Sequence, residues 1–202
     1  YLHTKKMNAF VNFIRRFFDI IISIICLIVF SPLFLICYIA IKIEDNGDAI
    51  FKQERIGKNG KPFNIYKFRS MKMEAEKHGP ALCCDKDNRL TKTGRFLREH
   101  HIDELPQLWN VLKGDMAFVG PRPERKFFID KIMEYDNRYK LLYQIRPGVT
   151  SYATLYNGYT NTMEKMLKRL ELDLYYIEHR SLLMDLSILL KTFFSIIFGK
   201  KF

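Results

Sequence analysis

FFDIIISIICLIVFSPLFLICYIAI, residues 17–41, carries one charge, Asp19, in 25 positions. A single helix of that length runs roughly 37 Å, against a hydrocarbon core of about 30 Å. Ser31 and Pro32 interrupt the run just past its middle. Proline removes one helix hydrogen bond and clashes with the carbonyl four residues back. A kink is therefore expected at 28–32, with the Ser31 hydroxyl able to satisfy a freed backbone group. Arg15 and Arg16 precede the run, and Lys42, Lys52, Arg55, Lys58 and Lys61 follow it. The positive-inside bias pulls both ends toward the cytoplasm. A helix that bends and returns meets both pulls, whereas a kinked span is the more common form of such a segment.

Residues 181–202, SLLMDLSILLKTFFSIIFGKKF, mix a broad apolar surface with Asp185, Lys191, Lys200 and Lys201. That suits an amphipathic helix lying in the membrane interface with its lysines reaching to headgroups, a core helix being the alternative. Between the two apolar stretches, AIFKQERIGKNGKPFNIYKFRSM places Asn59-Gly60 between segments rich in Ile, Phe and Tyr. This predicts one β-hairpin, with strands at 49–56 and 63–70. Residues 72–92, with Gly79-Pro80 and Cys83-Cys84, read as a loop over a site. Helical signal resumes at Gly94. In DELPQLWNVLKG (103–114), Leu105, Leu108, Trp109 and Leu112 share one face, Pro106 sits in the first turn and Gly114 is the stop. Two more helices are expected at 124–143 and 162–180, the second opened by Asn161 and Glu164 in capping-box order. With 202 residues and no internal repeat, a single domain over 1–202 is expected, α+β and mainly helical.

The chain holds 33 basic and 22 acidic residues, a formal charge of +11. An anionic partner follows: nucleic acid, lipid headgroups or a phosphorylated small molecule. No nucleic-acid motif is present, and the apolar anchor accounts for much of the basicity as headgroup attraction, so no nucleic-acid partner is expected. Cys26, Cys37, Cys83 and Cys84 show no C-x-x-C spacing and read as reduced thiols facing the cytoplasm. No cleavable signal peptide is expected, because the apolar run is too long for one, and Met7 is a candidate natural start. His100 and His101 are adjacent, a poor geometry for sharing a metal, and read as polar loop residues.

Asp103 and Glu104 fall at the start of the helix in DELPQLWNVLKG, where an acid most often serves as a cap. Arg95, Arg98, Arg122 and Arg125 crowd the same part of the sequence, and a helix N-terminus attracts phosphate. An acid among phosphate binders coexists with an anionic substrate through a divalent cation, and oxygen ligands make Mg2+ the natural choice. Such an Asp acts as metal ligand or as nucleophile. Pro121-Arg122-Pro123 holds an arginine in a rigid turn suited to a phosphate or a uracil edge, and Arg146-Pro147-Gly148 is a second such turn. Each is equally readable as a structural turn with a solvated arginine.

LTKTGRFLREHHIDELPQLWNVLKGDMAFVGPRPE, with YKFRSM before it and RPGVT after it, resembles the bacterial sugar transferase family, the small monotopic phosphoglycosyl transferases. The likeness extends from the Ser31-Pro32 interruption to YYIEHRSLLMDLSILLKT. The resemblance implies that 17–41 is a re-entrant membrane helix and 42–202 a compact catalytic part on the cytoplasmic face of the bacterial inner membrane. It implies transfer of a phosphosugar from a UDP-sugar donor to undecaprenyl phosphate, with UMP released, by way of an adduct on Asp103. In that scheme Asp103 is nucleophile and magnesium ligand, and Glu104 orients or deprotonates the acceptor. Arg98 and Arg122 hold phosphates, the 121–123 turn contacts the nucleotide, and Lys67 and Arg69 add positive charge. Where the family commonly continues Gly-Leu-Ala-Gln after the Arg-Pro-Gly-Val-Thr motif, this chain has Ser151 and Thr154 in place of Gly and Gln. Two rivals compete: a glycosyltransferase using Asp85-Lys86-Asp87 and releasing UDP, and a basic membrane- or nucleic-acid-binding module.

Overall fold

The computed structural model describes residues 8–73, 75, 88–158, 160 and 162–197. The apolar run lies in two helices, α1 (Ala9–Val29) and α2 (Ser31–Glu44), which meet at Phe30 with a bend of 60°. Pro32 occupies the first turn of α2, where a missing N–H leaves no helix bond unmade. Ser31 Oγ donates to Ile28 O at 2.8 Å, as the interrupted ladder requires. Among the described residues no single helix is long and apolar enough to cross a membrane, while the bent pair together meets that length and composition. Phe10, Phe13, Ile28, Leu35, Ile36 and Ile43 are each more than 60 % exposed. So large an apolar surface needs an apolar medium or a partner.

The hairpin forms where Asn-Gly places it. β1 (Ile50–Ile56) and β2 (Pro62–Phe68) pair antiparallel, from Ile50 opposite Phe68 to Ile56 opposite Pro62. Asn59 and Gly60 both adopt positive φ, 60° and 70°, in the connecting turn. α3 (Lys92–Glu99) starts two residues before the expected Gly94, because Thr91 Oγ1 accepts from Gly94 N at 2.9 Å and caps it. α4 (Gln107–Lys113) follows a 3-10 turn at Ile102–Glu104 and ends at Gly114, φ 96°. Its buried face differs from the expected one: Gln107, Leu108, Asn110 and Val111 point inward and Trp109 is 51 % exposed. The cause is Asn110, whose side chain accepts from Tyr66 N at 3.0 Å and donates to Asn64 O at 2.7 Å. Stitching α4 to β2 through an amide fixes a register that apolar periodicity does not reveal.

A second ladder is absent from the sequence reading: β3 (Ala117–Val119) pairs in parallel with β4 (Gly148–Thr150). Three-residue strands carry too little alternation to register as a pattern. A Cβ on Gly148 would stand 2.1 Å from Gly120 N, so the two chains approach this closely only because both positions are glycine. The helix expected at 124–143 divides into α5 (Lys126–Tyr135) and a 3-10 segment, Asn137–Gln144. Asp136 is the divide, extended in backbone and accepting from Arg138 N at 2.9 Å. After α6 (Tyr152–Asn157) come α7 (Met163–His179) and α8 (Leu182–Ile197). Thr162 caps α7 by accepting from Lys165 N at 3.3 Å, not the expected Asn161. Asn161, the Cys83-Cys84 pair, Asp85-Lys86-Asp87 and Lys200-Lys201 lie outside the described residues.

Two cores position the site. Ile129, Ile132, Leu170, Leu174 and Ile177 fill the space between α5, α7 and the 137–144 segment. Cys37, Ile41, Ala49, Phe68 and Leu97 lock α2 onto β2 and α3. Burial of each such aliphatic side chain stabilises by about 1.5–3 kcal/mol. α8 gives Ile188 to the first core but leaves Leu183 79 %, Leu186 53 % and Phe193 59 % exposed. Its outward face is apolar.

Candidate active site

α3 ends at His100, and His101 takes a left-handed conformation, φ 55°, that reverses the chain into the Ile102–Glu104 turn. Asp103 is thereby buried, 4 % exposed, beneath the hairpin. The turn is held from three directions. Asn110 ties the following helix to β2, while Arg16 of α1 donates to Val111 O at 2.6 Å and Leu112 O at 2.7 Å, the terminal carbonyls of α4. The third is ionic: Lys67 Nζ and Arg122 Nη2 reach the same oxygen, Glu104 Oε1, at 2.7 and 2.8 Å.

Two neighbouring carboxylates thus meet unlike surroundings. Burial works against the Glu104 charge, but Arg122 and Lys67 outweigh it and hold the group well below the usual carboxylate range. Burial pushes the Asp103 carboxyl up to about 6; Lys67 opposes the rise and the adjacent Glu104 charge adds to it. Glu104 is a fixed anion already paired with two cations. Asp103 titrates within reach of neutral pH, and among the described residues its carboxylate takes no hydrogen bond. It is the group available for chemistry.

Residues beyond the sequence reading hold the Pro121-Arg122-Pro123 turn in place. Glu124 accepts from Arg55 Nη1 through Oε1 and from Arg169 Nη2 through Oε2, both at 2.6 Å. Burial disfavours its charge, yet Arg169 and Arg55 hold it down at about 2. Arg55 also donates to Pro123 O at 3.3 Å, so β1, the turn and α7 share one ion cluster. Behind it lies Asp173, 1 % exposed, with Oδ1 buried and unpartnered. Burial pushes its carboxyl up to about 7 against the pull of Arg169 and of the Arg122 and Ala153 backbone N–H groups. No local pattern marks these residues, because the Glu124 partners lie 69 and 45 positions away.

Two cavities meet at Asp103. One, of about 500 Å3, is lined by Lys67, Arg69, Arg98, Asp103 and Arg125 with the β1 edge. The other, of about 370 Å3, is lined by Asp103, Glu104, Arg122, Thr154 and, from α8, Thr192 and Ile196. Arg55, Lys67, Arg98, Asp103 and Glu124 line both. Pro121 and Pro123 are buried supports of the turn that presents Arg122. Arg69 is drawn away from the dyad, donating to Asp45 O at 2.8 Å and to Met73 Sδ. Arg146 is not brought to the dyad: it lines a third cavity, beside α1 and α8. The Ser151 and Thr154 departures form a local unit, Ser151 Oγ capping α6 by accepting from Thr154 N at 2.9 Å. Thr154 itself faces the smaller Asp103 cavity.

Among the described residues no group of three metal-binding side chains occurs. Mg2+ is a cation that binds through one or two carboxylates together with substrate phosphates and water. Asp103 is the carboxylate that this site would offer to such an ion.

The site is a buried, titratable carboxylate at the meeting point of two basic cavities, on a mainly helical body that carries an apolar bent helix pair. The chain belongs to the bacterial sugar transferase family, which it matches over residues 10–199. It is 41 % identical over 204 residues to the UDP-N-acetylgalactosamine-undecaprenyl-phosphate N-acetylgalactosaminephosphotransferase of Aeromonas hydrophila, covering 98 % of this chain and 48 % of that protein. With the UDP-glucose:undecaprenyl-phosphate glucose-1-phosphate transferase of Klebsiella pneumoniae the identity is 39 % over 195 residues, 96 % of this chain and 42 % of the relative. The enzyme of the same name from Caulobacter vibrioides is 41 % identical over 180 residues, 88 % and 67 % of the two chains. The chain spans about half the length of the first two of these relatives.

Proposed function

We propose that this chain transfers a sugar 1-phosphate from a UDP-sugar to undecaprenyl phosphate at the inner face of the bacterial cytoplasmic membrane. This would be the first membrane step of a surface glycan, such as capsule, O-antigen or glycoprotein glycan. The observation that carries the reading is Asp103, buried where the two cavities meet, beside a Glu104 whose charge Lys67 and Arg122 already balance. The names of the relatives support the substrates.

In the first step an Asp103 oxygen attacks the sugar-bearing phosphorus of the donor, and the bond from that phosphorus to the bridging oxygen breaks, releasing UMP. An acyl phosphate on Asp103 carries the phosphosugar. In the second step an oxygen of the lipid phosphate attacks the same phosphorus, the bond to Asp103 breaks and the carboxylate is regenerated. Arg98 and Arg122 bind phosphate oxygens in both steps, and Lys67 shares their charge. Asp103 would hold Mg2+, which would supply positive charge against the diphosphate. Glu104 fixes Arg122 and Lys67 in position; held ionised by them, it is better suited to orienting the acceptor than to taking a proton.

Membrane placement belongs to the same proposal: α1 and α2 enter the membrane and return at the 60° bend, and α8 lies in the interface on its exposed leucines and phenylalanines. Incubation with a UDP-sugar alone should release about one equivalent of UMP per site and leave a mass adduct on the peptide containing HIDELPQLW, discharged by undecaprenyl phosphate. UMP release that strictly needs both substrates, with intersecting double-reciprocal lines, would exclude the covalent path. UDP as product would exclude phosphosugar transfer altogether.

A further inference from the structure

The third cavity, of about 860 Å3, lies between α1, α8 and β3 and shares no lining residue with the two around Asp103. Its charge is unbalanced. Arg15, Arg16, Lys58, Arg146 and Arg180 face it against the acids Asp19 and Asp185. Arg15 pairs with Asp185 at 2.5 Å, and Arg16 is engaged with the α4 carbonyls.

Arg180 stands apart. It is 8 % exposed, and its Nε is buried with no hydrogen-bond partner, as is Arg15 Nε. A charged donor left unpaired is costly, so a guanidinium already short of one partner favours an acceptor in the cavity it lines. Burial and the nearby Arg15 both disfavour the Arg180 charge, and an anion in the cavity would relieve both. The remaining wall is apolar and open: Phe13 is 67 %, Phe18 55 % and Leu186 53 % exposed. The lining therefore matches a molecule with acidic oxygens at one end and alkyl chains at the other.

We propose that this cavity binds a glycerophospholipid with an anionic headgroup, its phosphate accepting from Arg180 and Arg146 and its acyl chains lying along Phe13, Phe18 and Leu186. The proposal rests on the membrane reading of α1 and α8, and only the exclusion of the acceptor as occupant draws on the transfer chemistry. An undecaprenyl phosphate bound as acceptor must bring its phosphate to Asp103, which this cavity does not border. The bound lipid would bridge α1 and α8 beside the Arg15–Asp185 pair.

The test is native mass spectrometry of the full chain in non-ionic detergent, titrated with dioleoylphosphatidylglycerol or dioleoylphosphatidylcholine. Both lipids carry the phosphate, but the choline cation of phosphatidylcholine is repelled by the basic wall, so phosphatidylglycerol should be retained about tenfold more tightly. Arg146→Gln and Arg180→Gln should each abolish the preference, and Arg180→Lys should keep part of it. If Arg180→Gln fails to fold, Arg146→Gln and Arg180→Lys still decide. Equal binding of the two lipids, or an unchanged preference in Arg146→Gln, would overturn the site. Displacement of phosphatidylglycerol by millimolar inorganic phosphate would reassign it to free phosphate, and tighter retention of undecaprenyl phosphate would reassign it to the acceptor; either overturns the proposal. A chain that leaves the membrane fraction without detergent would sink the membrane reading itself, whereas a detergent-requiring chain with no lipid preference would sink only this site.

Discussion

Asp103 and Glu104 adjoin in sequence and differ in what surrounds each oxygen, and that difference has a measurable sign. Asp103 titrates at about 6 in the folded chain against an ordinary value of 3.8. Its ionisation therefore costs stability: nothing below pH 3.8, a growing amount up to about 6, and the full amount above. Replacing Asp103 with Asn should abolish transfer yet stabilise the protein by an amount of order 1–3 kcal/mol at pH 8, a gain absent at pH 3.5. Thermal unfolding at the two pH values checks it; a variant no more stable than the parent at pH 8 would remove the burial cost assigned here. For the same reason turnover should fall about tenfold per unit as pH drops below 6. The dyad and Arg122 were legible because acids, arginines and prolines in one short stretch form a local pattern. Glu124, Arg169 and Asp173 were not, since a buried ion cluster assembled from α7 and the hairpin leaves no mark on any of its segments.

Elements were legible in proportion to their length. The bend of the apolar run follows from Pro32 and the hairpin from Asn59-Gly60, both local signals, whereas β3 and β4 exist only because two glycines let distant chains touch. α3 depends on a similar contact. A Cβ on Gly94 would stand 2.0 Å from Ser70 O, so the first turn of α3 rests on the backbone beyond β2. Gly94→Ala must push the helix away, at a cost of about 1–3 kcal/mol, and carry Arg98 with it. Thermal unfolding should show the loss, and steady-state kinetics a raised KM for the nucleotide sugar. Unchanged stability would mean that α3 and the 68–71 backbone separate freely.

At the scale of the whole molecule, the amphiphilic character was readable from composition, but the way the anchor is fastened was not. Arg15 donates to Ser181 O at 3.2 Å, Arg16 closes α4, and the Asp19 carboxylate accepts from Phe118 N at 3.3 Å. These bonds join the start of α1 to α8, to the helix after the dyad and to β3. If α1 and α2 enter the membrane and return, cysteines placed at Asn8 and Asn46 should both react with an impermeant reagent only from the cytoplasmic side. Labelling from opposite sides would restore a kinked span. The fastening also orders events during synthesis. Arg15 and its Ser181 acceptor are 166 positions apart, which at 5–20 residues per second separates their emergence by roughly 8 to 33 s. For that interval the apolar helices α1 and α2 exist without the whole body they dock against, and the dyad, once made, still lacks α7 and α8 around it. The site can therefore close only after translation has passed residue 181.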